Sequence, residues 1–169
     1  MIHVCPLSRV DTTVAACGAG RLVSLLATGT AVLRPPAIAE QDHLWLSLHD
    51  IAEARDGMIL PGELHVRKLL DFARSWDLAR PMVIHCYAGI SRSTASAYIV
   101  AAALAPDRDE FELAGTLRRL SPTATPNPLL IELADGLLGR QGRMVNAVRQ
   151  IGRGTEAFEG EPFMLGIKP

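Results

Sequence analysis

One cysteine in the chain has neighbours suited to nucleophilic attack on a bound anion. Cys86 ends the short apolar run 82–86, and Arg92 follows it by six positions, where a helical pattern begins. The start of a helix presents unpaired backbone amides and the positive end of the helix dipole, and both bind anions. The same field favours the thiolate of Cys86, while the planar guanidinium of Arg92 can hold two phosphate oxygens at once. The spacing therefore predicts a cysteine nucleophile that faces a bound phosphate.

The residues around Cys86 and Arg92 are predicted to complete an anion cradle. Gly89 allows the backbone to turn tightly around the anion. Ser93 is expected to donate a hydrogen bond to the sulfur and so ease its departure as a leaving group. The loop residues whose backbone is expected to bind phosphate are Tyr87, Ala88, Gly89, Ile90 and Ser91, together with Arg92.

Segment 85–93, His-Cys-Tyr-Ala-Gly-Ile-Ser-Arg-Ser, resembles the signature loop of the protein tyrosine phosphatase superfamily. That loop reads His-Cys, five residues, then Arg and Ser or Thr, and the Ala-Gly-Ile-Ser-Arg-Ser part is most similar to the dual-specificity branch. Pro126-Asn127-Pro128 is similar to a segment that these phosphatases carry downstream, so the resemblance extends over about residues 44–138. It implies a phosphomonoester hydrolase that works through a phosphocysteine, without metal or cofactor. It also implies that His85 is a buried residue that orders the loop.

The resemblance further implies a general acid in a loop upstream of the cysteine. Asp50 directly follows the predicted strand 44–49, whereas Asp56 lies in the middle of the next loop. Position at the strand end favours Asp50, and Asp56 remains the alternative.

The expected substrate is a phosphorylated protein or peptide, with phosphotyrosine first and phosphoserine or phosphothreonine also open. Phosphoinositide phosphatases of the superfamily usually carry lysines in the loop, and residues 87–91 include none. Two other functions stay open: a catalytically weak phosphoprotein-binding module of the same fold, and arsenate reduction. The arsenate reductases that carry a Cys-x5-Arg loop place it near the N-terminus and need resolving cysteines close by. Cys5 and Cys17 are predicted to be core or surface thiols, with a role as resolving partner of Cys86 as the alternative.

Composition limits the remaining partners. The 169 residues include 17 Lys and Arg against 18 Asp and Glu, a net charge of −1 that argues against nucleic-acid binding. The longest apolar run, 97–105, is too short to cross a membrane, and no signal peptide is visible. Three cysteines are typical of reduced thiols, which favours a cytoplasmic protein. Arginine outnumbers lysine and alanine is abundant, as in proteins of GC-rich bacteria.

Hydrophobic periodicity predicts an α/β fold with a mostly parallel central sheet of about four to five strands, flanked by helices and a helical C-terminal layer. This is the phosphotyrosine phosphatase-like arrangement that the resemblance also implies. Residues 1–151 are expected to form a single catalytic domain, and residues 152–169 a tail packed on its surface. The predicted strands are 2–5, 21–27, 44–49 and 82–86.

Overall fold

Five strands form one sheet in the computed structural model of the chain, which describes residues 1–167. Their order is β3-β2-β4-β1-β5, and all neighbours are parallel except β5, which runs antiparallel to β1. The strands are β1 Ile2–Pro6, β2 Arg21–Leu26, β3 His43–Ser47, β4 Met82–Cys86 and β5 Phe163–Leu165. The predicted fold class is confirmed.

Within residues 1–167, six α-helices cover the two faces of the sheet. They are α1 Val10–Cys17, α2 Glu63–Arg74, α3 Arg92–Leu104, α4 Glu110–Leu120, α5 Pro128–Leu137 and α6 Arg143–Ile151. Helix α1 packs on one face and the other five helices pack on the opposite face. Because successive side chains of a strand point to opposite faces, each strand contributes alternately to the two cores.

Strand β4 lies at the centre of the sheet and leads directly into the helix at the centre of the larger core. All five residues of β4 are buried, as expected for a short Val-Ile strand that is covered on both faces. Residues 92–102 at the start of α3 are also buried. The N-terminus of α3 therefore lies inside the protein, where water screens its dipole little.

Local cap signals set the ends of several helices. Gly18 ends α1 in the left-handed conformation at φ 61°, and Asn127 caps α5 ahead of Pro128, as their sequences predict. Helix α4 differs, because the spacing of Asp107 and Glu110 predicts a cap at Asp107. The structure shows that this prediction was wrong: the carboxylate of Asp109 accepts from the amide of Glu112 and caps the helix.

The C-terminal segment takes part in the sheet, which the sequence pattern did not indicate. Phe163 and Leu165 of β5 are buried against the larger core, and Val4 of β1 pairs with Phe163. Arg108 donates to the carbonyl oxygens of Gly166 and Ile167. Residues 163–167 thus pack as part of the domain and do not lie merely on its surface.

Candidate active site

Cys86 is the last residue of β4, and the five residues from Tyr87 to Ser91 connect the strand to α3. The side chain of Cys86 is 2 % exposed, and its Sγ lies 3.1 Å from the Ser93 hydroxyl. Ser93 is in the first turn of α3, so the sulfur sits beneath the amide end of that helix. The structure therefore brings together the nucleophile, the helix dipole and the hydroxyl that the sequence predicts.

The carbonyl groups of the loop are held by amides from three other segments. These are the end of β1, the C-terminal segment and the connection between α4 and α5. The donor–acceptor pairs are Leu7–Tyr87 (3.0 Å), Gly160–Ala88 (2.8 Å), Thr125–Ile90 (2.9 Å) and Asn127–Ser91 (3.4 Å). The loop is thus anchored from outside along its length.

This anchoring fixes the direction of the loop amides. In a trans peptide the N–H of one residue points opposite to the carbonyl of the residue before it. Carbonyl groups that are bound outward therefore turn the amides of Ala88, Gly89 and Ser91 toward the middle of the loop. Within residues 1–167 the amides of Ala88, Gly89, Ile90 and Ser91 donate to no acceptor. Gly89 is buried and the other three residues are half-buried, so their unpaired amides are suited to a ligand or water that accepts from them.

Gly89 is required at its position for two reasons. Its φ of 71° lies in the left-handed region, and a Cβ there would approach the Pro6 nitrogen to 2.7 Å. The close approach to β1 is what allows the loop to curl.

Arg92 supplies a fixed guanidinium at the base of the loop. It is 8 % exposed, and its Nη1 donates to the Leu48 carbonyl oxygen at 3.0 Å. Its Nε is buried and has no acceptor within the described residues. The guanidinium is therefore oriented by one bond and keeps a donor free for an anion.

His85 is fully buried on the opposite face of the sheet. Its Nε2 lies 2.6 Å from the Ser24 hydroxyl, which also contacts Nε2 of His43 at 2.8 Å. Burial lowers the pKa of His85 to about 4, and the nearby charges of His43 and Arg92 act in the same direction. A histidine that is neutral near pH 7 and bonded in this way can order the end of β4.

Asp50 lies at the mouth of the loop, where two side chains hold its carboxylate. The Ser91 hydroxyl donates to Asp50 Oδ1 at 2.7 Å, and Asn127 Nδ2 donates to the same oxygen at 2.9 Å. The sequence assigned Ser91 to phosphate binding through its backbone and did not reveal this contact of its side chain.

Asn127 is a site residue that sequence reasoning missed. Its Oδ1 accepts from the Leu130 amide and caps α5, which the Asn-Pro pair predicts. Its Nδ2 is left free to reach Asp50, because one carboxamide carries both an acceptor and a donor. The cap signal was visible in the sequence, whereas the second contact depends on the packing of α5 beside the loop.

Asp56 lies away from these contacts. It belongs to a turn in which the amide of Met58 donates to the carbonyl of Arg55, and its side chain is exposed. Asp56 has no hydrogen bond or ion pair with another described residue, and it does not line the cleft beside the loop. The structure thus places only Asp50 of the two candidate acids against the loop.

Cys5 is close to Cys86 in the sheet but lies on its other face. Cys5 pairs with His85, and Pro6 pairs with Cys86. Burial raises the pKa of Cys5 to about 12, and Cys17 at the end of α1 has a pKa raised by the same cause. The three cysteines are free thiols, and the sheet separates the side chains of Cys5 and Cys86.

A cleft of about 810 Å³ opens beside the loop. Asp50, Ile90 and Ser91 line one side, and residues 153–158 of the C-terminal segment line another. Phe158 on this segment is 85 % exposed. The cleft gives room for a group attached to an anion in the loop.

Two further features of the described residues concern metal ions and membranes. Within residues 1–167, no three His, Cys, Asp or Glu side chains are grouped so that they could hold a metal ion. In the same part of the chain, every helix is too short or too polar to span a bilayer.

Several solved structures that superpose on the chain are phosphatases. The chain superposes on DUSP15 with a TM-score of 0.64 and 16 % identity, over 89 % of each chain. It superposes on the PTP-2 phosphatase of Cydia pomonella with a TM-score of 0.60 and 20 % identity, over 80 % of this chain and 84 % of that one. A mouse putative dual specificity phosphatase, complexed with zinc tungstate, gives 0.58 and 14 %, over 82 % and 79 %. The fold is that of the dual-specificity and tyrosine phosphatases, as the signature loop implied.

Comparison by sequence gives no such neighbours: no family model matches the chain, and no curated protein matches it. The fold is therefore established by structure, and the function rests on the geometry of the site.

Proposed function

We propose that the protein is a phosphomonoester hydrolase that forms a phosphocysteine on Cys86. The thiolate attacks phosphorus in line, so that the S–P bond forms as the bond to the leaving oxygen breaks. Protonated Asp50 gives its proton to that oxygen, while Arg92 and the loop amides bind the other phosphoryl oxygens.

The second step restores the enzyme. Asp50, now a carboxylate, removes a proton from water as the water oxygen attacks phosphorus. A new P–O bond forms, the S–P bond breaks, and inorganic phosphate leaves. The Ser93 hydroxyl, 3.1 Å from Sγ, can donate to the departing thiolate.

The single observation that carries this proposal is the set of unused donors around one sulfur. Four consecutive amides, Ala88 to Ser91, and Arg92 Nε have no acceptor within residues 1–167. Such an arrangement suits a tetrahedral oxyanion, whose oxygens accept several bonds at once. One solved structure with this fold, the mouse putative dual specificity phosphatase, is a complex with zinc tungstate. Tungstate is a tetrahedral oxyanion, which supports an oxyanion as the ligand of the loop.

Hydrolysis of p-nitrophenyl phosphate, with vanadate as inhibitor, tests the proposal. We expect turnover without added metal, inhibition by vanadate, and a phosphorylated Cys86 peptide after rapid acid quenching and mass spectrometry. Vanadate binding without turnover would instead support a phosphoprotein-binding module. Absence of both would refute the proposal.

The cleft supports a peptide as the group attached to the phosphate. Among the residues described in the structure, Arg153 is the one basic side chain that lines the cleft, and its Nη2 lies 3.8 Å from Glu156 Oε1. Asp50 also lines the cleft, so its walls do not complement a ligand with several phosphates. Phe158 offers apolar surface instead, which suits a phosphotyrosine or phosphothreonine segment with neutral or basic neighbours.

A substrate panel that compares phosphopeptides with inositol phosphates checks this class. Phe158→Ala should raise KM for the preferred phosphopeptide about fivefold and leave p-nitrophenyl phosphate unchanged, as for a contact of about 1 kcal/mol. Leu64→Ala, at an exposed leucine of α2 that does not line the cleft, is the control. Preference for inositol phosphates would contradict the peptide assignment.

A further inference from the structure

The segment that follows α6 is held against the phosphate loop; we name residues 152–160 the C-terminal strap. At its start, Arg118 donates to the Gly152 carbonyl at 2.6 Å, and the Thr155 amide donates to the Pro122 carbonyl at 2.9 Å. Beyond its end, β5 joins the sheet beside β1. The strap is therefore fixed at both ends.

The end of the strap contacts the loop through Gly160. Its amide donates to the carbonyl oxygen of Ala88 at 2.8 Å. Gly160 is itself buried, and the neighbouring Glu159 accepts from the Ser8 hydroxyl at 2.8 Å. These bonds place Gly160 at a defined position on the outer side of the loop.

The contact leaves little room for a side chain at position 160. A Cβ there would lie 3.0 Å from the Gly89 carbonyl oxygen and 3.3 Å from Thr123 Oγ1. On its other side Gly89 is pressed against the end of β1, where a Cβ would come within 2.7 Å of the Pro6 nitrogen. Gly89 is therefore enclosed between β1 and the strap.

We propose that Gly160 is a positioning residue for the phosphate loop, and the proposal rests on the proposed function of that loop. Its N–H fixes the plane of the Ala88–Gly89 peptide. Because the peptide is trans, the Gly89 N–H then points away from the strap and toward the anion. The strap is thus a functional part of the active site, although Gly160 lies 67 residues beyond Ser93 at the end of the signature segment 85–93 (160 minus 93).

Gly160→Ala tests this directly. The added methyl either pushes on the Gly89 carbonyl, which turns the Gly89–Ile90 peptide and its Ile90 amide, or moves the strap and weakens the Gly160–Ala88 hydrogen bond that orients the Gly89 amide. We expect kcat/KM for p-nitrophenyl phosphate to fall about tenfold, somewhat less than for complete loss of one oxyanion donor, and vanadate to bind about tenfold more weakly. The thermal unfolding midpoint, measured beside these values, shows whether the variant is folded.

Gly136→Ala is the matched control. Gly136 lies in α5, and a Cβ at that position meets nothing within 4 Å. This variant should keep the activity and the vanadate affinity of the parent. A folded Gly160→Ala protein that also keeps both within twofold would overturn the role of Gly160.

Hydrogen exchange of the unmodified protein tests the proposal even if Gly160→Ala does not fold. If the Gly160 amide supports an anion-binding peptide, saturating vanadate should slow its hydrogen exchange, because binding and loop order are coupled. Exchange of the Gly160 amide that is the same with and without vanadate would also overturn the inference. Parent activity that is absent while vanadate still slows this exchange would count against the hydrolase and not against the strap. A parent protein that binds no vanadate would refute both.

Discussion

Cys86 and Cys5 are two buried thiols on neighbouring strands with opposite chemical surroundings. Their exposures are nearly equal, 2 % and 1 %, and the register pairs Cys86 with the residue after Cys5. Cys86 faces the larger core at the N-terminus of α3, with the Ser93 hydroxyl 3.1 Å from its Sγ. Cys5 faces the smaller core, where Val10, Val14 and Ile38 surround it and burial raises its pKa to about 12.

The difference shows that burial by itself does not prepare a cysteine for catalysis. Burial in an apolar core disfavours the thiolate, as at Cys5. At Cys86 the strand ends, and free amides and the end of a helix replace apolar neighbours. One step along a strand, which reverses the face of the sheet, separates these two environments.

The largest expected effect comes from the same substitution at both thiols. Cys86→Ser should reduce turnover of p-nitrophenyl phosphate by about 10⁴-fold or more, because the hydroxyl is a far weaker nucleophile at neutral pH. Cys5→Ser should leave kcat within about twofold and cost about 1–3 kcal/mol of unfolding free energy for a buried hydroxyl. Equal loss of kcat in both variants, measured at a temperature where both are folded, would contradict the assignment of Cys86 as the nucleophile.

Alkylation separates the thiols without mutation. At pH 7 iodoacetate should modify Cys86 about 10³-fold faster than Cys5, since a thiol with a pKa of about 12 is almost entirely protonated there. The rate at Cys5 should rise with pH until about 12. Vanadate should protect Cys86 alone, and neutral iodoacetamide should show a smaller advantage, because the cradle attracts anions. Mass spectrometry of the two peptides gives both rates.

The assignment of Asp50 as the general acid can be tested by making the same substitution at Asp50 and at Asp56. Asp50→Asn should lower kcat for an aryl phosphate with a poor leaving group about 10²-fold, because proton transfer to that group is lost. Asp56→Asn should leave kcat unchanged. A larger loss in Asp56→Asn would transfer the general acid to Asp56.

The last expected effect is on stability and not on activity. It concerns His85, which lies on the same face of the sheet as Cys5 and which burial keeps neutral. Its pKa is about 4 in the folded protein and 6.5 when exposed, so the unfolded chain binds more protons between these values. Stability is therefore complete above pH 6.5 and falls as the pH drops to 4, by about 3 kcal/mol from this residue. His3 and His43, whose pKa values burial also lowers, contribute in the same direction. Denaturant unfolding of His85→Gln should show a shallower fall, and a slope equal to the parent would contradict the assignment.

Much of the fold follows from patterns within short stretches of sequence. The strands at 2–5, 21–27 and 82–86 were recognisable from periodicity and composition, with small shifts at their ends. Strand β3 begins and ends earlier than predicted, at His43–Ser47. The three-residue strand β5 carries no pattern of its own, because it is too short to show alternation and is stabilised by pairing with β1.

The site, like the fold, has features that local sequence predicts and features that depend on tertiary contacts. By itself the sequence determined the order of Cys86, Gly89, Arg92 and Ser93 and the strand–loop–helix around them, because these groups are neighbours along the chain. Tertiary structure alone decided that Asn127 and Ser91 hold Asp50, that Gly160 anchors Ala88, and that Cys5 lies behind the sheet. Those contacts join residues far apart in sequence, and they are fixed by strand register and helix packing, which no local pattern encodes.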